Sequence, residues 1–178
     1  MPNLPTWAAA YSSLPFLERG RTRDGVDCWG LVCMVSKEVF GVELPTYDGL
    51  YFSTAEKNEI SRLFTEGLPS WESVEPRPGA VILFRIEGKP LHVGIIITGP
   101  NDEKFDPGYF LHSEQDVDSC FEQYGSIRWA KRIVGFFEYA PAKAPLVDVN
   151  INLHTDEEVH IKSEYKDILV TIGKHRHA

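Results

Sequence analysis

The chain has 178 residues, 43% of them hydrophobic, and a formal net charge of -8. That length and composition fit one packed domain with room for an appendage. The acidic balance, without any basic stripe, argues against nucleic acid and anionic membrane surfaces as partners. No apolar run approaches the ~20 residues of a membrane span.

Residues 5 to 18 read as a short helix and a turn broken at Pro15, and Gly20 to Gly25 as a polar, charged loop. The loop leads to DCWGLV at Asp27 to Val32. From Cys28 the apolar residues Leu31, Val32, Val35, Val39 and Phe40 recur at helical spacing, and Gly41 is placed to stop the helix. Cys28 therefore sits at a helix N-terminus, where unpaired N–H groups favour thiolate over thiol, with Asp27 partly opposing the effect. Ser53 and Glu56 form a capping-box pattern before Ile60, Leu63, Phe64 and Leu68, predicting a second amphipathic helix that ends near Gly67. After Trp71, the segments AVILFRI, LHVGIIIT, YFLH and IRWAKRIVGFFEY are short and rich in β-formers, predicting a sheet of mainly sequential antiparallel strands.

PAKAP, from Pro141, resembles a linker, and the segments VDVNINLH, EVHIKS and DILVTI after it read as small strands. This divides the chain into a domain at 1–140 and a β extension at 141–178. The start MPNLPTWAAAYSS has neither the basic residues nor the apolar run of a signal peptide, so synthesis in the cytoplasm without export by its own signal is expected. Three cysteines, an odd number, argue against a disulfide framework.

A nucleophilic cysteine needs a base, and of six histidines His92 is the best placed, inside the apolar strand LHVGIII. If the strands at 91–98 and 108–113 form an antiparallel hairpin centred on Asp102, in the turn-like GPNDEKFDPG, His112 lies directly opposite His92. One imidazole can then orient the other. Cys33 lies about 140° around the helix from Cys28, so the two make no chelating face, and Cys33 reads as a core residue. Cys120, in DVDSC, is expected in a loop as a spare thiol, and His154, His160, His175 and His177 in exposed strands or a frayed end. The acidic cluster Asp102 to Asp118 lacks the spacing and central glycine of a calcium loop. Neither a metal nor an organic cofactor is expected.

The ordered set DCWGLV, PGAVILF, LHVGIIIT, YFLHSE and RIVGFF resembles the NlpC family of papain-like cell-wall cysteine peptidases over roughly residues 10–138. An aromatic after the cysteine, here Trp29, resembles the phage tail-tip assembly branch. The resemblance implies an α+β papain-like fold, with N-terminal helices packed on an antiparallel sheet. It maps Cys28 to the nucleophile, His92 to the base and His112 to the orienting residue. It also implies hydrolysis of peptidoglycan stem peptides, typically between γ-D-glutamate and diaminopimelate. Where the family often has tyrosine in a Pro-Tyr pair twelve residues before the cysteine, this chain has Pro15 and Phe16. Tyr11 or backbone amides must then substitute, or turnover is low. Asp27, Trp29, Tyr11 and Phe16 are accordingly the expected oxyanion or substrate-binding residues, with the N–H of Cys28 among the oxyanion donors.

The expectation is a cysteine endopeptidase of a phage or prophage tail tip, located in the virion tail and acting in the host cell wall or periplasm. Its partners would be peptidoglycan stem peptides, tail-tip proteins and, through the C-terminal strands, further copies of itself. Two alternatives stand beside it: a catalytically weak tail-assembly or wall-binding protein, and a thiol acyltransferase or amidase on the same fold.

Overall fold

The computed structural model describes residues 4–47, 58, 62, 70–100 and 108–141. A 3-10 helix, Thr6–Tyr11, is followed by a two-strand hairpin of β1 (Arg21–Thr22) and β2 (Gly25–Val26), then by helix α1 (Cys28–Phe40). The strands β3 (Trp71–Ser73), β4 (Val81–Ile86), β5 (Lys89–Thr98), β6 (Tyr109–Glu114), β7 (Val117–Gln123) and β8 (Ile133–Tyr139) form one antiparallel sheet. Its order is β3-β8-β4-β5-β6-β7, so β4 to β7 meander in sequence while β8 returns to lie beside β4. The expected α+β architecture is present. Among the described residues no helix is long and apolar enough to cross a membrane.

Helix α1 forms where the sequence capped it. The Asp27 carboxylate accepts the Gly30 N–H at 2.6 Å, closing an N-cap. Gly41, in the left-handed region at φ 69°, donates to the carbonyl of Lys37 at the other end. Gly30 has a different reason: a Cβ there would stand 1.9 Å from the Gly20 carbonyl oxygen, so the β1 approach can lie on the helix only over a glycine.

The sheet has two faces with different cores. Toward α1, Val81, Leu83, Val93, Ile95, Ile97 and Leu111 meet Leu31, Val32 and Val35 of the helix. Full burial of each such aliphatic side chain stabilises by roughly 1.5–3 kcal/mol. On the other face Ile82, Phe84, Ile96, Phe110, Tyr124 and the fully buried Trp129 form a second cluster. The period-2 alternation of strands separates the two sets.

Three expectations need revision or fall outside the described residues. VDSCFEQ is strand β7, not a loop; as an edge strand it keeps one side polar, which hid its alternation. Ser119 of that strand ties down the chain start: its Oγ donates to the Tyr11 carbonyl at 2.6 Å and accepts the Leu14 N–H at 2.8 Å. Backbone bonds from Ser13 N to Ser119 O and from Ser119 N to Leu14 O complete the strap. Of the expected second helix only Asn58 and Arg62 are described, both helical. Of the C-terminal extension, all but Pro141 lies outside the described residues.

Candidate functional site

The ladder between β5 and β6 runs from Thr98–Tyr109 to Ile95–Leu111 and, among the described residues, no further. The Ile96 N–H bonds the carbonyl of Ala80, the residue just before β4, at 2.8 Å, so by alternation the Val93 N–H points to β6, just beyond the end of that ladder. There it meets the sulfur of Cys28, which also takes the N–H of Trp29. The helix N-terminus thus delivers the thiol to the place where the two central strands part, one residue from His92.

His92 and His112 meet at the same place from the other face. Nε2 of His92 stands 3.0 Å from Nδ1 of His112 with the rings nearly perpendicular, and both residues are buried. The pairing register differs from the expected one by two residues. Ile95 faces Leu111, and continuing that register sets His112 opposite Gly94, so the histidines are diagonal neighbours rather than directly opposed. An irregularity between Ile96 and Thr98 places an extra residue on the turn side, which strand periodicity alone does not reveal.

An aromatic cage that the sequence reading missed holds the two rings. Trp129 stacks on His92 at 5.3 Å and 17° and meets His112 edge-on, while Phe110 stacks on His112 at 4.6 Å and Phe84 flanks His92. A tryptophan inside the otherwise polar GSIRWAKR was the available signal. Burial first, then the His112 and Arg128 charges, hold His92 well below the ordinary histidine range. Burial and Arg128 bring His112 down to about 3. Both imidazoles are therefore neutral near pH 7. One must donate and the other accept, and only a proton on Nε2 of His92 leaves Nδ1 of that ring unprotonated to receive another.

The thiol is also neutral at rest. Part of Cys28 is accessible, but desolvation of the sulfur, aided by the Asp27 charge, pushes it up to about 12 against the pull of the Val93 and Trp29 amides and Arg21. The expected helix-terminus lowering is overcome by burial and by the capping carboxylate. Among the described residues no hydrogen bond joins Cys28 to His92; the sulfur is held at the N–H of Val93, the residue that follows His92 in the strand.

The other expected site residues are placed differently from what their types suggested. The buried carboxylate of Asp27 accepts from the N–H groups of Gly30 and Arg19 and pairs with Arg21 at 2.7 Å, so it orders the helix start instead of facing a substrate. Trp29 is a core residue against Tyr47 and Trp71, with its indole N–H on the Pro45 carbonyl. The Tyr11 hydroxyl donates to Glu38 at 2.8 Å, near the far end of α1, and does not replace the missing family tyrosine. Phe16 is half-buried and bridges to Val26, two residues before Cys28, so its position does adjoin the start of α1. Cys33 packs against the helix-side core. Cys120 pairs with His112 across β6 and β7, with its sulfur 3.6 Å from Nε2 of His112.

Comparison with known proteins bears on the family and the fold. The murein DD-endopeptidase MepS/murein LD-carboxypeptidase of Escherichia coli K12 is 30% identical over 113 residues, 64% of this chain and 49% of that protein. The O157:H7 strain's protein gives the same values. The chain thus spans about half the length of the curated relatives it matches. A solved NlpC/P60 family protein from Bacillus cereus shares the fold with a TM-score of 0.52 at 17% identity, over 78% of this chain and 41% of that one. The model of the NlpC/P60 family matches residues 14–138, the stretch that holds α1, the paired histidines and the sheet, and the chain belongs to that family.

Proposed function

We propose that the protein is a cysteine peptidase acting on the peptide stems of peptidoglycan, with Cys28 as nucleophile, His92 as base and His112 as the group that orients the base. The observation that carries this reading is the 3.0 Å contact from Nε2 of His92 to Nδ1 of His112, together with a thiol held by the N–H of Val93, the residue next to His92 in sequence. With Nε2 of His92 donating to His112, Nδ1 takes the thiol proton as sulfur attacks the amide carbon. The same nitrogen returns it to the leaving amine, and water then hydrolyses the thioester. The N–H groups of Trp29 and Val93, already directed at the sulfur, soften the cost of developing charge there, and the N–H of Cys28 is an oxyanion donor.

The bond between γ-D-glutamate and diaminopimelate is the proposed target. The likeness to MepS favours a second reading, cleavage of the DD cross-link between stems. A tail-tip setting belongs to the same proposal and rests on the aromatic at position 29, which serves the core here. Digestion of purified muropeptides, with Cys28→Ala as control and products identified by mass spectrometry, tests the reading and separates the two bonds. Products identical with and without Cys28 would overturn it.

The resting thiol also supports a catalytically weak assembly protein. Peptide mapping after mild iodoacetamide discriminates the two. The peptidase reading expects Cys28 to be modified ahead of Cys33 and Cys120, and an inert Cys28 in folded protein favours the assembly role.

A further inference from the structure

On the side of His112 away from His92 lies a second cluster that the peptidase reading leaves unused. Nε2 of His112 is 3.6 Å from the Cys120 sulfur and 3.8 Å from Oε1 of Glu122. Cys120 faces His112 across the ladder, and Glu122 is two residues further along the same face of β7. Ligands of a tetrahedral zinc ion, at about 2.0–2.1 Å for nitrogen and oxygen and about 2.3 Å for sulfur, stand about 3.4–3.6 Å apart. The separations of 3.6 and 3.8 Å from Nε2 of His112 are close to that spacing, and all the ligand atoms lie within 4.8 Å of one another.

The surroundings suit a dication. Glu114 and Glu122 both bind Arg128. With Cys120 bound as thiolate, its proton released to solvent, three negative groups balance Arg128 and the metal. The carboxylate of Glu122 is already oriented, through Oε1 by Arg128 and through Oε2 by the indole N–H of Trp129, as a second-sphere donor orients a ligand. Cys120 and Glu122 are only partly buried, so an ion can reach them from solvent.

We propose that His112, Cys120 and Glu122 form a zinc site whose occupation switches the peptidase off. The switch rests on the catalytic reading above and follows from the tautomers. A neutral imidazole that ligates through Nε2 carries its proton on Nδ1. His112 then donates to Nε2 of His92 instead of accepting from it. The His92 proton moves to Nδ1, the nitrogen that must take the proton of Cys28, and the base is blocked without any contact between metal and nucleophile. The neighbouring set His92, His112 and Glu114 offers no sulfur, and its two imidazoles stand at hydrogen-bonding distance from each other.

The full chain is titrated with Co2+, reading the thiolate-to-cobalt charge-transfer band in the near ultraviolet, and Zn2+ is then added to displace it. Only a sulfur ligand gives that band, so His154, His160, His175 and His177 are silent. Wild type and Cys28→Ala should show one equivalent with equal affinity, and Cys120→Ser no band. Glu122→Gln should bind at least tenfold more weakly, with circular dichroism confirming its fold. A band lost in Cys28→Ala but kept in Cys120→Ser would overturn the site. In muropeptide hydrolysis Zn2+ should inhibit wild type, with Cys120→Ser at least tenfold less sensitive; equal sensitivity would overturn the switch. Because the metal arm needs no turnover, an inactive wild type would count against the peptidase reading and leave the site judged on binding alone.

Discussion

The two faces of the central sheet are built from different materials. On the face under α1 the buried strand residues are aliphatic, valine, isoleucine and leucine, with aromatic rings such as Trp29 and Trp71 at the margin. The opposite face is aromatic, and its aromatic rings enclose both neutral imidazoles. Aliphatic packing fixes the distance of a helix from a sheet but does little to orient a polar ring. Flat rings stacked at defined angles hold an imidazole in one rotamer and exclude water from it. Cys28 is thus positioned by a helix terminus on one side and His92 by an aromatic cage on the other, with the sulfur held at the N–H of Val93, the next residue after His92.

The sharpest way to break this division of labour is to remove either partner. Cys28→Ala and His92→Ala should each lower muropeptide hydrolysis by about 10³-fold or more, equivalent to about 4 kcal/mol of transition-state stabilisation. An active His92→Ala protein would mean that the aromatic face does not serve the thiol. Next in size is the cage itself. Trp129→Ala should cost about 3–5 kcal/mol of folding stability in chemical denaturation, comparable to truncating a core aromatic elsewhere. A loss under 1 kcal/mol would show that the cage does not bear on stability.

Acid distinguishes the faces more gently. His112 is held at about 3, below its unfolded value of about 6.5, and His92 moves in the same direction. Between those values the unfolded chain binds protons that the folded one refuses, so stability rises with pH through the window and is lost on acidification. Each such histidine contributes a slope of up to about 1.4 kcal/mol per pH unit. Denaturation midpoints for wild type and His112→Asn between pH 3.5 and 6.5 should differ by that slope, and parallel profiles would contradict the burial of a neutral ring. The smallest expected effect is at Phe16. Phe16→Tyr should raise the rate a few-fold if a hydroxyl beside Val26 reaches the site, and an unchanged rate in a folded variant would assign that donor role to backbone amides alone.

Much of this was legible in the sequence, for physical reasons. The helix carries its own signals, an acidic cap, apolar residues at helical spacing and a terminal glycine, and each acts within one or two turns. Strands β4, β5, β6 and β8 declare themselves through β-branched and aromatic residues. The pairing of His92 with His112 was legible as a shared face but not as a register, because a bulge near the turn leaves no compositional trace. Cys120 was misplaced because an edge strand with acidic residues reads as a loop. The capping role of Asp27, the core role of Trp29 and the Glu38 partner of Tyr11 depend on contacts from neighbouring elements, which no local pattern encodes. Trp129 was missed because its partners lie on four other segments, the strands β4 to β7.

The strap at Ser119 bears on how the protein is made. The bonds from Ser119 to Tyr11 and Leu14 span 108 and 105 residues. Ser113, also late in the chain, donates to the Val26 carbonyl just before the cysteine. A ribosome delivers Cys28 early and these anchors late, so these contacts of the segment leading to Cys28 cannot form until β7 has emerged. Closing so long a loop is entropically costly and slow. During synthesis the thiol is therefore made before the strands that bury it.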